Sequence, residues 1–202
     1  MTHHDFIYLA SQSARRRQLL EQIGVRYELL LADANEDAEA LEALIPGELP
    51  EVYVARVTEA KLDAALARLA ARGLPVAPIL CSDTTVAVEQ QILGKPADAE
   101  DAFNTLSLLS GRRHRVITAV ALGDAARRRA VLSVSAVDFA PIPAEQLRRY
   151  VDSGEPFGKA GSYAIQSQAA AWISRVEGSY SGIMGLPLYE TAQLLQQWNV
   201  RF

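Results

Sequence analysis

Hydrophobic positions along the chain follow two patterns: short apolar runs, as in buried strands, and a recurrence every roughly 3.6 residues, as in half-buried helices. Phe6–Ala10 reads as a short strand. Ala14–Ile23 places Leu19, Leu20 and Ile23 on one helical face, and Gly24 stops it. Val25–Leu31 predicts a second strand. An acidic, alanine-rich stretch follows over Ala32–Leu44, then a loop with Pro46, Gly47 and Pro50. Pro50–Arg72 is the longest helical candidate, with Val54, Val57, Lys61, Ala65 and Leu69 at helical spacing and Gly73 closing it. Pro78–Val88 predicts a strand that Gln90-Gln91 turns into a short hairpin. Ala99–Leu109 predicts a helix ending at Ser110-Gly111, and Val116–Leu122 and Val131–Phe139 predict strands about a Gly123-Asp124 turn. Pro143–Val151 reads as a helix, Gly154–Gly161 as a loop, Trp172–Val176 as a strand and Leu188–Asn199 as the last helix. Such an order predicts an α/β fold around one twisted, mixed β-sheet with flanking helices. With no repeat, low-complexity tract or linker, residues 1–202 read as one domain, two lobes around a central cleft.

Half of the 202 residues are hydrophobic, enough for a sizeable core without disulfides. The net charge of −4 argues against a nucleic-acid polymer as partner, and Arg127-Arg128-Arg129 reads as a solvated hairpin tip. A small anionic ligand remains compatible with a local cluster of Lys and Arg. No segment reaches the ~18 apolar residues of a membrane span. Met1–Asp5 runs straight into the first strand rather than into a signal peptide, so the sequence predicts a cytoplasmic protein without a membrane partner. The single cysteine, Cys81, lies beside Ser82 and Asp83, where it offers a nucleophile; its strand position fits a packed apolar side chain better.

Four segments interrupt the core pattern with polar residues that packing would not select. Ser11-Gln-Ser-Ala-Arg-Arg16 lies between a strand and a helix, where free backbone N–H groups and the helix dipole favour an anion and Arg15 and Arg16 can fork onto phosphate oxygens. Ser13 as an ordinary N-cap explains the same residues. In Cys81-Ser-Asp-Thr-Thr-Val86, an aspartate within an apolar strand must be paired, hydrogen-bonded to backbone or bound to a cation. A carboxylate there suits metal-assisted hydrolysis. Gly94-Lys-Pro96 and Phe157-Gly-Lys-Ala-Gly161 each set a lysine in a turn, from which its amine can reach a phosphate. Gly161-Ser-Tyr-Ala-Ile-Gln166, Gly178-Ser-Tyr-Ser181 and Gly185-Leu-Pro-Leu188 suggest tight turns or close backbone approach, and the Gln166 amide can read a base edge.

Taken in order, Leu9-Ala-Ser-Gln-Ser-Ala-Arg-Arg16, Ser82-Asp-Thr-Thr-Val86, Gly94-Lys-Pro96, Gly158-Lys-Ala-Gly161, Gly178-Ser-Tyr-Ser181 and Gly185-Leu-Pro-Leu188 resemble the Maf family of nucleoside triphosphate pyrophosphatases. The segment from Tyr163 to Gln166 and the tail to Thr191 resemble its dTTP/UTP subgroup. The resemblance implies the mixed α/β fold also seen in inosine triphosphate pyrophosphatases, a cytoplasmic enzyme and often a homodimer. It implies cleavage of dTTP and UTP to monophosphate and pyrophosphate, with Asp83 as proton acceptor and Arg15, Thr84 and Gln166 choosing the base. Lys61, Lys95 and Lys159 fall on its phosphate-binding lysines, beside the Ser11, Ser13 and Arg16 loop. Glu36 falls where the family has an acid near a metal, so Glu36 and Asp83 are the expected holders of Mg²⁺ or Mn²⁺; Asp33 and Asp37 are alternatives to Glu36. Two readings compete: the sister subgroup acts on 7-methyl-GTP, and a nucleotide-binding regulator of septum formation would bind without turnover.

The chain departs from the family pattern twice. Ala14 stands where a proline is common, which loosens the start of the helix. Ser167 replaces the subgroup's glycine after Gln166; a positive φ there would strain the loop and disturb base choice.

Overall fold

The computed structural model describes residues 3–33, 36–37 and 40–202. Among them, strands β1 (Ile7–Leu9), β2 (Tyr27–Leu29), β3 (Ile79–Val88), β4 (Gln91–Leu93), β5 (Arg113–Gly123), β6 (Arg128–Phe139) and β7 (Ile173–Glu177) form one mixed sheet. The order is β2-β1-β3-β5-β6-β7, with β4 added to β3. β1 runs parallel to both β2 and β3, while the pairs β3–β4, β3–β5, β5–β6 and β6–β7 are antiparallel. The helices are α1 (Ala14–Gln22), α2 (Pro50–Ala71), α3 (Ala99–Leu109), α4 (Ala144–Asp152), α5 (Tyr180–Met184) and α6 (Leu188–Gln197).

Side-chain alternation along the strands assigns each helix its face. α2 lays Leu62, Ala65 and Leu69 over Tyr8, Ile79, Cys81 and Ala121, and Val54 and Val57 over Ile117 and Ala119. On the opposite face, Leu19 and Leu20 of α1 and Leu194 and Leu195 of α6 cover Ile7, Leu9, Leu80, Val120 and Leu122. Both faces of β3 are therefore covered, which is why it reads as a continuous apolar run. α3 and α4 close the far end over Val86, Val116, Val137 and Phe139.

β5 and β6 are longer than their hydrophobic pattern suggests. Their register continues through Leu122↔Arg129 and Gly123↔Arg128, so backbone pairing carries polar residues into the sheet. The hairpin tip is not merely solvated, because Arg127 stacks 4.3 Å above the Trp198 ring and Arg128 pairs with Asp63 at 2.6 Å. α5 was legible only as a turn. Ser179 caps it by accepting from the Gly182 N–H, so the hydroxyls of that segment serve as caps.

One irregularity of the sheet positions the cleft. On one edge of β3, β1 pairs with Ile79 and Leu80, and β4 pairs with Val86, Ala87 and Val88. Between them, Cys81–Thr85 pair only with β5 on the other edge. This interruption opens a cleft through the sheet, bordered by the end of β1, the start of α1 and the turn after β4.

Candidate active site

Asp83 stands in the middle of β3 at this gap. It is 8% exposed, and its partner is a side chain rather than backbone: Lys61 of α2 donates to Oδ1 at 2.6 Å. An apolar strand can keep that carboxylate because an ammonium offsets its desolvation. The Lys61 ammonium also donates to Glu42 Oε1 at 2.7 Å, and Lys95 donates to Glu42 Oε2 at 2.7 Å. Burial raises the Glu42 carboxyl, but the two lysines outweigh it and hold the group below its ordinary range. The result is a chain of alternating charges, Asp83–Lys61–Glu42–Lys95, along the cleft.

Glu42 was not singled out in the sequence. It lies on a single turn of 3-10 helix, Ala40–Glu42, inside the acidic stretch, and only the tertiary fold brings it to Lys61. Glu36 is placed differently. Arg68 forks onto both of its oxygens at 2.8 and 2.6 Å and, with the Asp33 N–H, holds that carboxyl down at about 2. Of the alternatives, Asp33 pairs with Arg72, and Asp37 accepts from the Ala40 N–H. The neighbouring Asn35 lies outside the described residues.

The first turn of α1 is capped by Ser13, whose hydroxyl accepts from the Arg16 N–H. Ala14 occupies the position that proline favours, at the first residue of that helix. Arg16 is held by the protein itself. Its Nε donates to the Gly185 carbonyl at 2.8 Å, and its terminal nitrogens donate to Ser11 Oγ at 3.1 Å and Thr84 Oγ1 at 3.4 Å. The Thr118 hydroxyl donates to the Gly182 carbonyl at 2.7 Å, so at 2.9 Å Thr84 is the donor toward Thr118. Ser82 Oγ also donates to the Gly185 carbonyl. Gly185 has φ +114 and takes two bonds on one carbonyl, which ties the α5–α6 corner to β3 and α1.

Arg15 is different, for its Nε is buried without a hydrogen-bond partner. Burial lowers the Arg15 guanidinium, and burial together with nearby Arg15 lowers the Lys159 ammonium. Two desolvated cations facing one cleft favour an anion between them. Lys159 follows Gly158 (φ +73) in a loop whose Gly161 N–H donates to the Gly94 carbonyl at 3.1 Å. Gly161 has φ +68, and a Cβ there would lie 2.8 Å from Val86, so only glycine brings this loop against β3 and toward Lys95.

Ser11, Ser13, Arg15, Arg16, Lys61, Asp83, Thr84, Lys95, Lys159 and Gln166 line one cleft of about 1110 Å³. Its wall carries six basic side chains against the carboxylates of Glu42 and Asp83; with Arg68 neutralised by Glu36, a surplus of three positive charges remains. Gln166 is exposed at this cleft. Ser167 has φ −114, in ordinary extended territory, and its hydroxyl donates to the Ala164 carbonyl at 2.7 Å, so the expected strain is absent. Cys81 is fully buried and its thiol is pushed up to about 12 by burial, which excludes a thiolate nucleophile.

The Maf-like protein profile matches residues 6–198. The chain belongs to the Maf family. The dTTP/UTP pyrophosphatase of Albidiferax ferrireducens is 62% identical over 197 residues, 98% of each chain. That of Cupriavidus metallidurans is 62% identical over 97% of this chain and 98% of its own, and that of Burkholderia pseudomallei 60% over 98% and 96%. The Staphylococcus aureus Ham1 protein superposes with a TM-score of 0.40 at 14% identity, covering 66% of this chain and 71% of its own. Among the described residues of this Maf chain, no helix is long and apolar enough to cross a membrane.

Proposed function

We propose that the chain hydrolyses dTTP and UTP to the nucleoside monophosphate and pyrophosphate, with Asp83 as the base. The observation that carries this reading is a buried carboxylate held by Lys61 at a sheet gap whose walls carry surplus positive charge. A nucleoside triphosphate brings about four negative charges, which converging cations must offset as the anhydride breaks. Arg15, Lys95 and Lys159 bind its phosphates. Lys61 fixes Asp83 through Oδ1 and leaves Oδ2 to accept a proton from a water aimed at the α-phosphorus, with pyrophosphate departing. Arg16 holds the Ser11 loop and Thr84 in place rather than reaching the substrate itself. Gln166, able to donate and accept, matches two adjacent positions of a uracil or thymine edge.

The donor set suits a divalent cation of one kind. Among the described residues no three acidic, His or Cys side chains converge into a cage. Asp83, whose side-chain partner is Lys61 alone, fits a site where Mg²⁺ or Mn²⁺ would be held by one carboxylate together with substrate phosphates. Such a cation neutralises charge on the phosphate oxygens. Asp83 is the residue to hold it, and Glu36 can join only if its fork with Arg68 opens. That all seven strands belong to one sheet supports one domain whose lobes flank the cleft, and the reading extends to a cytoplasmic homodimer, whose oligomeric state sedimentation equilibrium checks.

A panel of common triphosphates and 7-methyl-GTP, with Mg²⁺ and with Mn²⁺, tests the reading. The expected result is preference for dTTP and UTP. Preference for 7-methyl-GTP would move the chain to the sister activity, and tight binding with no turnover would make it a regulator.

A further inference from the structure

Glu42 occupies cations that a phosphate would need. Its two oxygens accept from Lys61 and Lys95, both at 2.7 Å, so one carboxylate spans two ammonium groups as a bridging phosphate would. The carboxylate is delivered by a segment with anchors of its own. Tyr53 donates its hydroxyl to the Glu42 carbonyl at 3.0 Å, and Arg56 donates to the Ala43 carbonyl and forks onto Glu48 at 2.7 Å. All these anchors lie on α2, whereas Lys95 lies across the cleft after β4, 47% exposed. The bridge to Lys95 is therefore the releasable contact, because exposed pairs contribute little to stability.

We propose that Glu42 is a built-in competitor for substrate phosphate, which holds Lys61 and Lys95 ready while the cleft is empty and yields Lys95 when a phosphate chain enters. This rests on the reading of Lys95 as a phosphate ligand. Binding from the closed arrangement is weakened by the fraction of molecules that are open, so removing the carboxylate strengthens binding.

The test is titration calorimetry of inorganic pyrophosphate with Mg²⁺ on the wild type, Glu42→Gln and Glu42→Asp, with thermal melts to verify folding. Both variants lose the double bridge, the first by charge and the second by reach. The expected result is a Kd lower by about tenfold in Glu42→Gln, corresponding to one open molecule in roughly ten, and a smaller decrease in Glu42→Asp. An unchanged or higher Kd in folded Glu42→Gln overturns the proposal and makes Glu42 a support for the lysines or for a cation. Failure of the wild type to bind pyrophosphate would instead count against the phosphate-site reading itself.

Discussion

At the scale of single residues, two adjacent arginines do different work. Each of the three Arg16 nitrogens donates to a protein oxygen, at Gly185, Ser11 and Thr84, whereas Arg15 has a buried nitrogen without a partner. Arg15→Gln should therefore raise KM for UTP by roughly ten- to a hundredfold, the loss of one hydrogen bond to a charged group, with little change in Tm. Arg16→Lys should lower Tm, because an ammonium cannot reproduce the fork; steady-state kinetics and thermal melts on both variants check the contrast. Asp83→Asn should lower kcat by about 10²- to 10⁴-fold while the fold persists, and near-full turnover would remove Asp83 from the role of base. Most of the residues gathered at the cleft were legible because each broke a hydrophobic pattern, as Asp83 does in β3. Glu42 was not, since an acid in an acidic stretch gives no local signal and its partners are 19 and 53 positions away.

At the scale of elements, the Lys159 loop depends on Gly161 lying against Val86 with φ +68. Gly161→Ala combines left-handed strain with a clash against the branched Val86 side chain, and should cost about 1–3 kcal/mol by urea denaturation and weaken phosphate binding with it. The same loop carries Tyr163, whose hydroxyl meets Nε2 of buried His114 on β5 at 2.7 Å. Burial pushes His114 from 6.5 down to about 4. The folded state thus disfavours the charged ring. The stability this neutral ring contributes is full above pH 6.5 and is lost as pH falls from there toward 4, by roughly 3 kcal/mol at most. Replacing the ring by His114→Phe should flatten that part of the stability profile, as melts between pH 7 and pH 4 would reveal. The long helices and the apolar strand β3 follow directly from periodicity. α5 did not, because five residues are too few to establish a period, and the polar ends of β5 and β6 were hidden because pairing alone determines them.

At the scale of the whole molecule, the decisive feature is the interruption of the sheet between β1 and β4. It leaves one edge of β3 unpaired at its middle, so Asp83, on the side of α2, and Thr84, on the side of α1 and α5, border one cleft. Linear sequence could not announce this gap, because it arises from which strands end early. It nevertheless explains why motifs spread from Ser11 to Gly185 act at one place. In the proposed reaction, water attacks the α-phosphorus there. Turnover of UTP with Mg²⁺ in ¹⁸O-labelled water, followed by phosphorus NMR, is the decisive test: the expected products are pyrophosphate without label and UMP carrying the ¹⁸O, whereas release of orthophosphate or label in the pyrophosphate would overturn attack at that phosphorus.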